Sequence, residues 1–258
     1  MIKLTCEFPS RCLKEITQVT ILLPKPRPSP LCAETAVLYP FRTLYLLHGA
    51  MESPETWLWN SGITQLVDEW NLAVVMPNGR GSFYLDEPGG PAYFSFITRE
   101  LPEYLEQILP LSARREDRFI GGLSMGGYGA VFAALMCPER FGKVFSMSGA
   151  LDVAKASGFV KVAFGNVPWF LRDRKALPGS PYDLMHLLDE ADSRAVPPML
   201  LTCGSEDYFL SSCQIFQQKA EQSGIQTVLN VSSGSHDWAY WNEQLPICIR
   251  WLLEGNAL

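Results

Sequence analysis

The sequence predicts an α/β protein built on a mainly parallel sheet, and three observations carry that reading. Short apolar runs ending in glycine or proline, such as "RTLYLLHG", "LAVVMPNG" and "PMLLTCG", have the length of buried strands. Segments with helical spacing lie between them, so strand and helix alternate along the chain. The strands are apolar almost throughout rather than at every second residue, which marks a sheet covered on both faces. In such sheets ligands bind at the carboxyl ends of the strands. Any chemistry therefore belongs in the loops that follow strands.

The elements run in order. "LTCEFPS" and "EITQVTILLP" read as two strands in a hairpin-like start. "PKPRPSP" cannot continue a sheet, because proline removes ladder donors, and is expected to be an exposed loop. "RTLYLLHG" is the next strand. "SGITQLVDEWN" has helical spacing with Ser61 placed to cap it. Strand "LAVVMPNG" follows, then helix "YFSFITRELPEYLEQIL", kinked or broken at Pro102. Strand "DRFIGG", helix "MGGYGAVFAALMCP" and strand "KVFSMSG" come next. An insert runs from Ala150 to about Pro197. Strand "PMLLTCG", helix "SSCQIFQQKAEQSG", strand "QTVLNVS" and helix "DWAYWNEQLPICIRWLL" complete the order. There is no internal repeat, and residues 1–258 read as a single domain carrying that insert.

Composition narrows the function classes. The apolar fraction of 47% and charged fraction of 19% are those of a soluble globular protein with room for a large core. The net charge is −6 and no Lys/Arg run stands out, which argues against a nucleic-acid partner. "MIKLTCEFPSRC" has no signal-peptide core and no apolar run is long enough to span a bilayer, so no membrane partner and a cytoplasmic location are expected. The seven cysteines are odd in number and scattered, with no CxxC pair, and read as reduced structural thiols. With three histidines and no Cys/His cluster at zinc spacing, no metal and no cofactor are expected.

Gly122-Leu123-Ser124-Met125-Gly126 is a G-x-S-x-G motif between a strand and a helix, the context in which the serine is a nucleophile. The turn is so sharp that side chains two residues to either side would collide, and Gly122 and Gly126 remove them. Gly127, Gly129 and Ala130 are expected to bring the helix close to the sheet. The plainer alternative is a Gly-rich turn with a capping serine. A dinucleotide site is disfavoured because the G-x-G-x-x-G spacing is absent.

A serine hydroxyl needs a base, and in this chain order an acid and then a histidine follow the serine. His236 in "VSSGSHDWAYW" falls directly after the last strand and is the expected base; His186 falls inside the insert, where a helix face suits it. Asp207 in "LLTCGSEDYF" lies just beyond a strand end and is the expected acid, ahead of Asp152 and Glu206. Asp237, adjoining His236, suits a helix cap better.

Acyl transfer also needs two donors aimed at the developing oxyanion. The Met125 N–H at the helix start is one. The Ala50 N–H, after Gly49 in "LLHGAMES", is the other. His48 reads as a structural side chain holding that loop. Of the nearby aromatics, Trp238, Tyr84 and Trp241 are the expected substrate-binding residues. The apolar stretch "SGFVKVAFGNVPWFLRD" either forms a lid over an acyl pocket or packs on the sheet edge.

Together "LYLLHG", "VVMPNG", "GLSMGGYGA", "CGSEDYF" and "GSHDWAYW" resemble the esterase D-like branch of the α/β-hydrolases, closest to small bacterial tributyrin-esterase type carboxylesterases. The resemblance covers nearly the whole chain in order. It implies the α/β-hydrolase fold with an eight-stranded core and a Ser124–Asp207–His236 triad. It also implies hydrolysis of small short-acyl esters through an acyl-enzyme, and self-association. Related S-formylglutathione hydrolases carry an "SGLTC"-like oxyanion stretch where this chain has "HGAME", which disfavours that activity. An acyltransferase or thioesterase using the same site is the alternative. A non-catalytic binding module is disfavoured because no triad member is missing.

Overall fold

The computed structural model describes residues 1–25, 39–153, 168–173 and 175–255. From residue 26 onward the Pro-rich loop lies outside the described residues, as do residues 154–167 of the insert. Among the described residues eight strands form one sheet: β1 (Ile2–Ser10), β2 (Glu15–Leu23), β3 (Arg42–Leu47), β4 (Leu72–Pro77), β5 (Arg118–Leu123), β6 (Lys143–Met147), β7 (Met199–Gly204) and β8 (Thr227–Ser232). Their spatial order is β1-β2-β4-β3-β5-β6-β7-β8. β1 and β2 form an antiparallel hairpin, and β2 runs antiparallel to β4. Every pairing from β4 through to β8 is parallel. The carboxyl ends of β3 to β8 therefore share one edge, and the loops leaving that edge build the site.

Among the described residues the α-helices of seven residues or more are α1 (Pro54–Asn60), α2 (Ile63–Trp70), α3 (Leu101–Ile108), α4 (Met125–Met136), α5 (Leu184–Glu190), α6 (Leu210–Gln222) and α7 (Trp238–Glu254). They sort onto two faces. Tyr45, Val75, Ile120, Val144 and Leu201 share a core with residues of α3, α4, α5 and α6. Leu44, Leu46, Val74, Phe119 and Leu200 share a second core with residues of α1, α2 and α7. Neighbouring residues of a strand point to opposite faces. Both parities must therefore be apolar, and this is why the strands show no alternation. α4 is buried along almost its whole length, so it is apolar all round.

Ser61 does not cap α2; Gly62 holds that position. Ser61 instead ends the extra helix α1, donating to the Trp57 carbonyl at 2.6 Å while its oxygen accepts the Ile63 amide at 3.3 Å. Pro102 sits at the start of α3 directly after another helical turn, and the Thr98 carbonyl four residues before it accepts from Arg140 Nε at 2.7 Å instead of from a backbone amide at 102. The chain before it, Phe96–Glu100, is wound as a π-helix, so the expected break is a widened turn. In the described part of the insert, Phe170 packs on Phe83 and Tyr128, and the Tyr128 hydroxyl donates to the Tyr182 carbonyl at 2.8 Å.

Candidate active site

Ser124 stands between β5 and α4 with φ 53° and ψ −114°. A residue with a side chain pays on the order of 1–3 kcal/mol for such a conformation, so the surroundings must impose it. They do so through the Ser124 amide, which donates to the Met147 carbonyl at 2.9 Å, and the Ser124 carbonyl, which accepts from Tyr128 and Ala150. A Cβ on Gly122 would lie 2.5 Å from the Leu47 oxygen, and one on Gly126 would lie 2.4 Å from the same atom. The elbow thus packs directly on the end of β3. Gly127 gives the expected close approach to β6, since a Cβ there would lie 2.5 Å from Ser146 Oγ. Gly129 does not face the sheet: the ring of Tyr84 fills the space its side chain would need.

His236 and Asp207, the expected base and acid, arrive on two loops laced together by their backbones. The Ser205 amide donates to the Ser232 carbonyl at 2.8 Å, and the Glu206 amide to the Gly234 carbonyl at 3.0 Å. Gly204 is what permits this approach, since a Cβ there would be 2.1 Å from the Gly234 oxygen. The result is a continuous chain of contacts. His236 Nε2 is 3.1 Å from Ser124 Oγ, and His236 Nδ1 is 2.9 Å from Asp207 Oδ2. The Asp207 side chain is fully buried, and the imidazole is only 11% exposed. Asp237 caps α7 through the Tyr240 amide at 3.0 Å.

Burial alone pushes the Asp207 carboxyl up. The hydrogen bond and charge of His236, the Phe209 amide at 2.8 Å and the Ser148 hydroxyl outweigh it and hold the group below its ordinary value. Asp207, rather than Asp152 or Glu206, is thus the carboxylate on Nδ1. An acceptor on that nitrogen fixes the proton there and leaves Nε2 free to accept the proton of Ser124. His186 sits on α5 beside Glu190 at 3.5 Å, away from this chain of contacts.

The loop after β3 carries the other expected donor. Met125 opens α4, so its amide is among the first-turn N–H groups with no acceptor inside the helix. Ala50 follows Gly49 in a tight turn in which Met51 has φ 60°. His48 is fully buried beneath it. The Gly79 amide donates to its Nε2 at 2.9 Å, which makes Nδ1 the protonated nitrogen, donating to the Gly49 carbonyl at 2.7 Å. Burial lowers its basicity, and the ring is a neutral brace between the ends of β3 and β4.

The three aromatics divide. Tyr84 is fully buried and donates to the His48 carbonyl at 3.1 Å, so it supports the loop instead of lining a pocket. Trp241 is 5% exposed; its ring meets His236 edge-on at 4.9 Å and its Nε1 donates to Ser148 Oγ at 3.0 Å. It backs the His236 ring and is almost wholly enclosed. Trp238 is half-buried beside it, with Nε1 donating to Glu52 at 2.8 Å. Three residues escaped the sequence reading: Ser148, which joins Trp241 to Asp207; Tyr208, 4.5 Å from the imidazole and half-exposed; and Glu52. Ser148 and Tyr208 follow strand ends, which is the one signal that marks them.

The chain is similar to known proteins over most of its length. The family model Esterase, described as "Putative esterase", matches residues 10–252. An acetyl esterase of Caldicellulosiruptor saccharolyticus is 31% identical over 254 residues, spanning 95% of this chain and 96% of that protein. Two solved structures from Staphylococcus aureus each cover 98% of both chains with a TM-score of 0.82. One is the fluorophosphonate-binding serine hydrolase F, substrate bound, at 28% identity. The other is an S-formylglutathione hydrolase at 29%. The fold is that of the α/β hydrolases, and the esterase D-like resemblance holds. With a strained serine, a histidine and a buried carboxylate in contact at the sheet edge, and with these relatives along its whole length, the chain belongs to the Esterase family of serine ester hydrolases.

Proposed function

We propose that this protein is a carboxylesterase for short-chain acyl esters, with Ser124 as nucleophile, His236 as general base and acid, and Asp207 as the group that orients and stabilises the imidazole. Ser124 Oγ attacks the ester carbonyl as its proton passes to His236 Nε2. The oxyanion lies against the Ala50 and Met125 amides. His236 then gives its proton to the departing alkoxide, leaving an acyl-serine. Water repeats the steps and releases the acid. The observation that carries this is the unbroken run of contacts from Ser124 through His236 to buried Asp207. The acetyl esterase relative supports a short acyl group. The odd number and scattered spacing of the seven cysteines in the sequence support a reducing, cytoplasmic setting. Self-association belongs to the same expectation and is tested by sedimentation.

Ser124→Ala tests the reading. It is expected to lower kcat on a short p-nitrophenyl ester by on the order of 10³-fold or more, leaving only binding and oxyanion stabilisation. Wild-type turnover in that variant contradicts it. The S-formylglutathione hydrolase relative favours one second reading, a thioesterase working through the same three residues. Rates on S-formylglutathione and on matched oxygen esters, with product analysis in the presence of alcohol or thiol, separate the two.

A further inference from the structure

Glu52 is absent from the proposed chemistry, yet it touches both halves of the site. Its Oε2 accepts the Gly49 amide at 3.0 Å, and its Oε1 accepts Trp238 Nε1 at 2.8 Å. Gly49 directly precedes Ala50, whose amide is the proposed oxyanion donor. Trp238 opens α7, two residues after His236, and is wedged edge-on against Trp57 and Trp241. One carboxylate therefore ties the oxyanion loop to the helix that carries the base loop.

The tie joins the contacts that hold the turn from below, the His48 ring on the Gly49 carbonyl and the Tyr84 hydroxyl on the His48 carbonyl. Met51 at its apex has φ 60° and is 72% exposed, so packing of its side chain does not hold the turn. Gly49 is required for the carboxylate to reach, because a Cβ there would stand 3.0 Å from Glu52 Oε2 and 2.5 Å from Leu123. Both partners are N–H donors. Two acceptor oxygens suit both, whereas an amide in place of the carboxylate would set its own NH₂ against one of them.

We propose that Glu52 is a positioning residue that fixes the oxyanion loop relative to His236, an inference that rests on the reading of Ala50 as an oxyanion donor. Glu52 does not touch the reacting atoms. It acts through the placement of the Ala50 amide, so its loss is felt where charge develops and not in substrate binding.

The test is a double-mutant cycle on a short p-nitrophenyl ester, with circular dichroism and melting curves on each variant. Glu52→Gln is expected to lower kcat by about tenfold or more with KM changed less than about threefold, as for a lost transition-state interaction. Trp238→Phe removes the second donor but keeps a ring. In that background the substituted carboxamide can turn its single oxygen to the Gly49 amide, so Glu52→Gln is expected to cost at most about threefold. Wild-type kcat for Glu52→Gln, a loss confined to KM, or strictly additive losses overturns the proposal. If Glu52→Gln does not fold, Trp238→Phe alone decides: a lowered kcat at unchanged KM supports the tie, and wild-type kcat overturns it. Should Ser124→Ala retain turnover, the site reading itself fails. Should Ser124→Ala be inactive while Glu52→Gln is normal, only the role of Glu52 fails.

Discussion

Gly126→Ala sets two effects of opposite sign against each other. In an open helix interior alanine is about 1 kcal/mol better than glycine, an upper limit for Gly126 at the second position of α4, so propensity favours the variant by at most that much. The structure opposes it. The new Cβ would lie 2.4 Å from the Leu47 oxygen, 2.7 Å from the Leu47 carbonyl carbon and 2.8 Å from the His48 oxygen. All three are backbone atoms at the end of a central strand, so no rotamer change relieves the contact. Overpacking typically costs about 1–3 kcal/mol, and backbone contacts this close belong at about 3. The net expectation is a loss of about 2 kcal/mol or more. The relief available is movement of the His48–Gly49 backbone, which carries Ala50. A displacement of about 1 Å at a catalytic donor costs on the order of 10²-fold in rate. Urea unfolding and kcat on a p-nitrophenyl ester measure the two together. A variant as stable as the parent, with kcat within about threefold, would refute the claim that the elbow packs rigidly on β3.

Asp207→Asn is expected to lower kcat by about 10³–10⁴-fold, since the imidazole loses its orienting charge. Its stability effect depends on pH in a defined direction. The Asp207 carboxyl is depressed in the fold, so its contribution is complete above the unfolded value of about pH 4 and is lost as pH falls through the folded one. Wild type should therefore lose stability relative to the Asn variant below about pH 4, and parallel unfolding curves across that range would contradict it. Ser148→Ala strips a donor from Asp207 and the acceptor from buried Trp241 Nε1. A stability loss of about 1–3 kcal/mol in urea is expected, with a lower kcat.

The strands themselves, and the positions of Ser124, Asp207 and His236 just past three of them, were legible because each rests on a local signal. The strands announce themselves as short apolar runs, and Ser124, Asp207 and His236 each fall just past one. What the sequence hid depends on contacts between distant segments. Ser148 matters only because β6 ends beside Asp207 and Trp241. Glu52 matters because its loop folds back onto α7, and nothing in "HGAME" shows that. Tyr84 looks like a pocket aromatic until Gly129, remote in sequence, turns out to make room for it. Trp241 was more readable. It stands four residues before Leu245 and seven before Cys248, both buried, and that spacing places it on the core face of its helix. α1 was missed because it is a single short stretch closed by the serine that seemed to open the next helix.

If Ser124 is the nucleophile of an ester hydrolase, made reactive by His236 and exposed by its strained turn, a fluorophosphonate should label that serine and no other. Labelling followed by peptide mass spectrometry reads this out. One adduct is predicted, on the peptide containing Ser124, abolished by Ser124→Ala and slowed by His236→Ala, with ester turnover lost in step with labelling. A folded protein that stays unlabelled at Ser124, or that loses esterase activity through an adduct elsewhere, would contradict it.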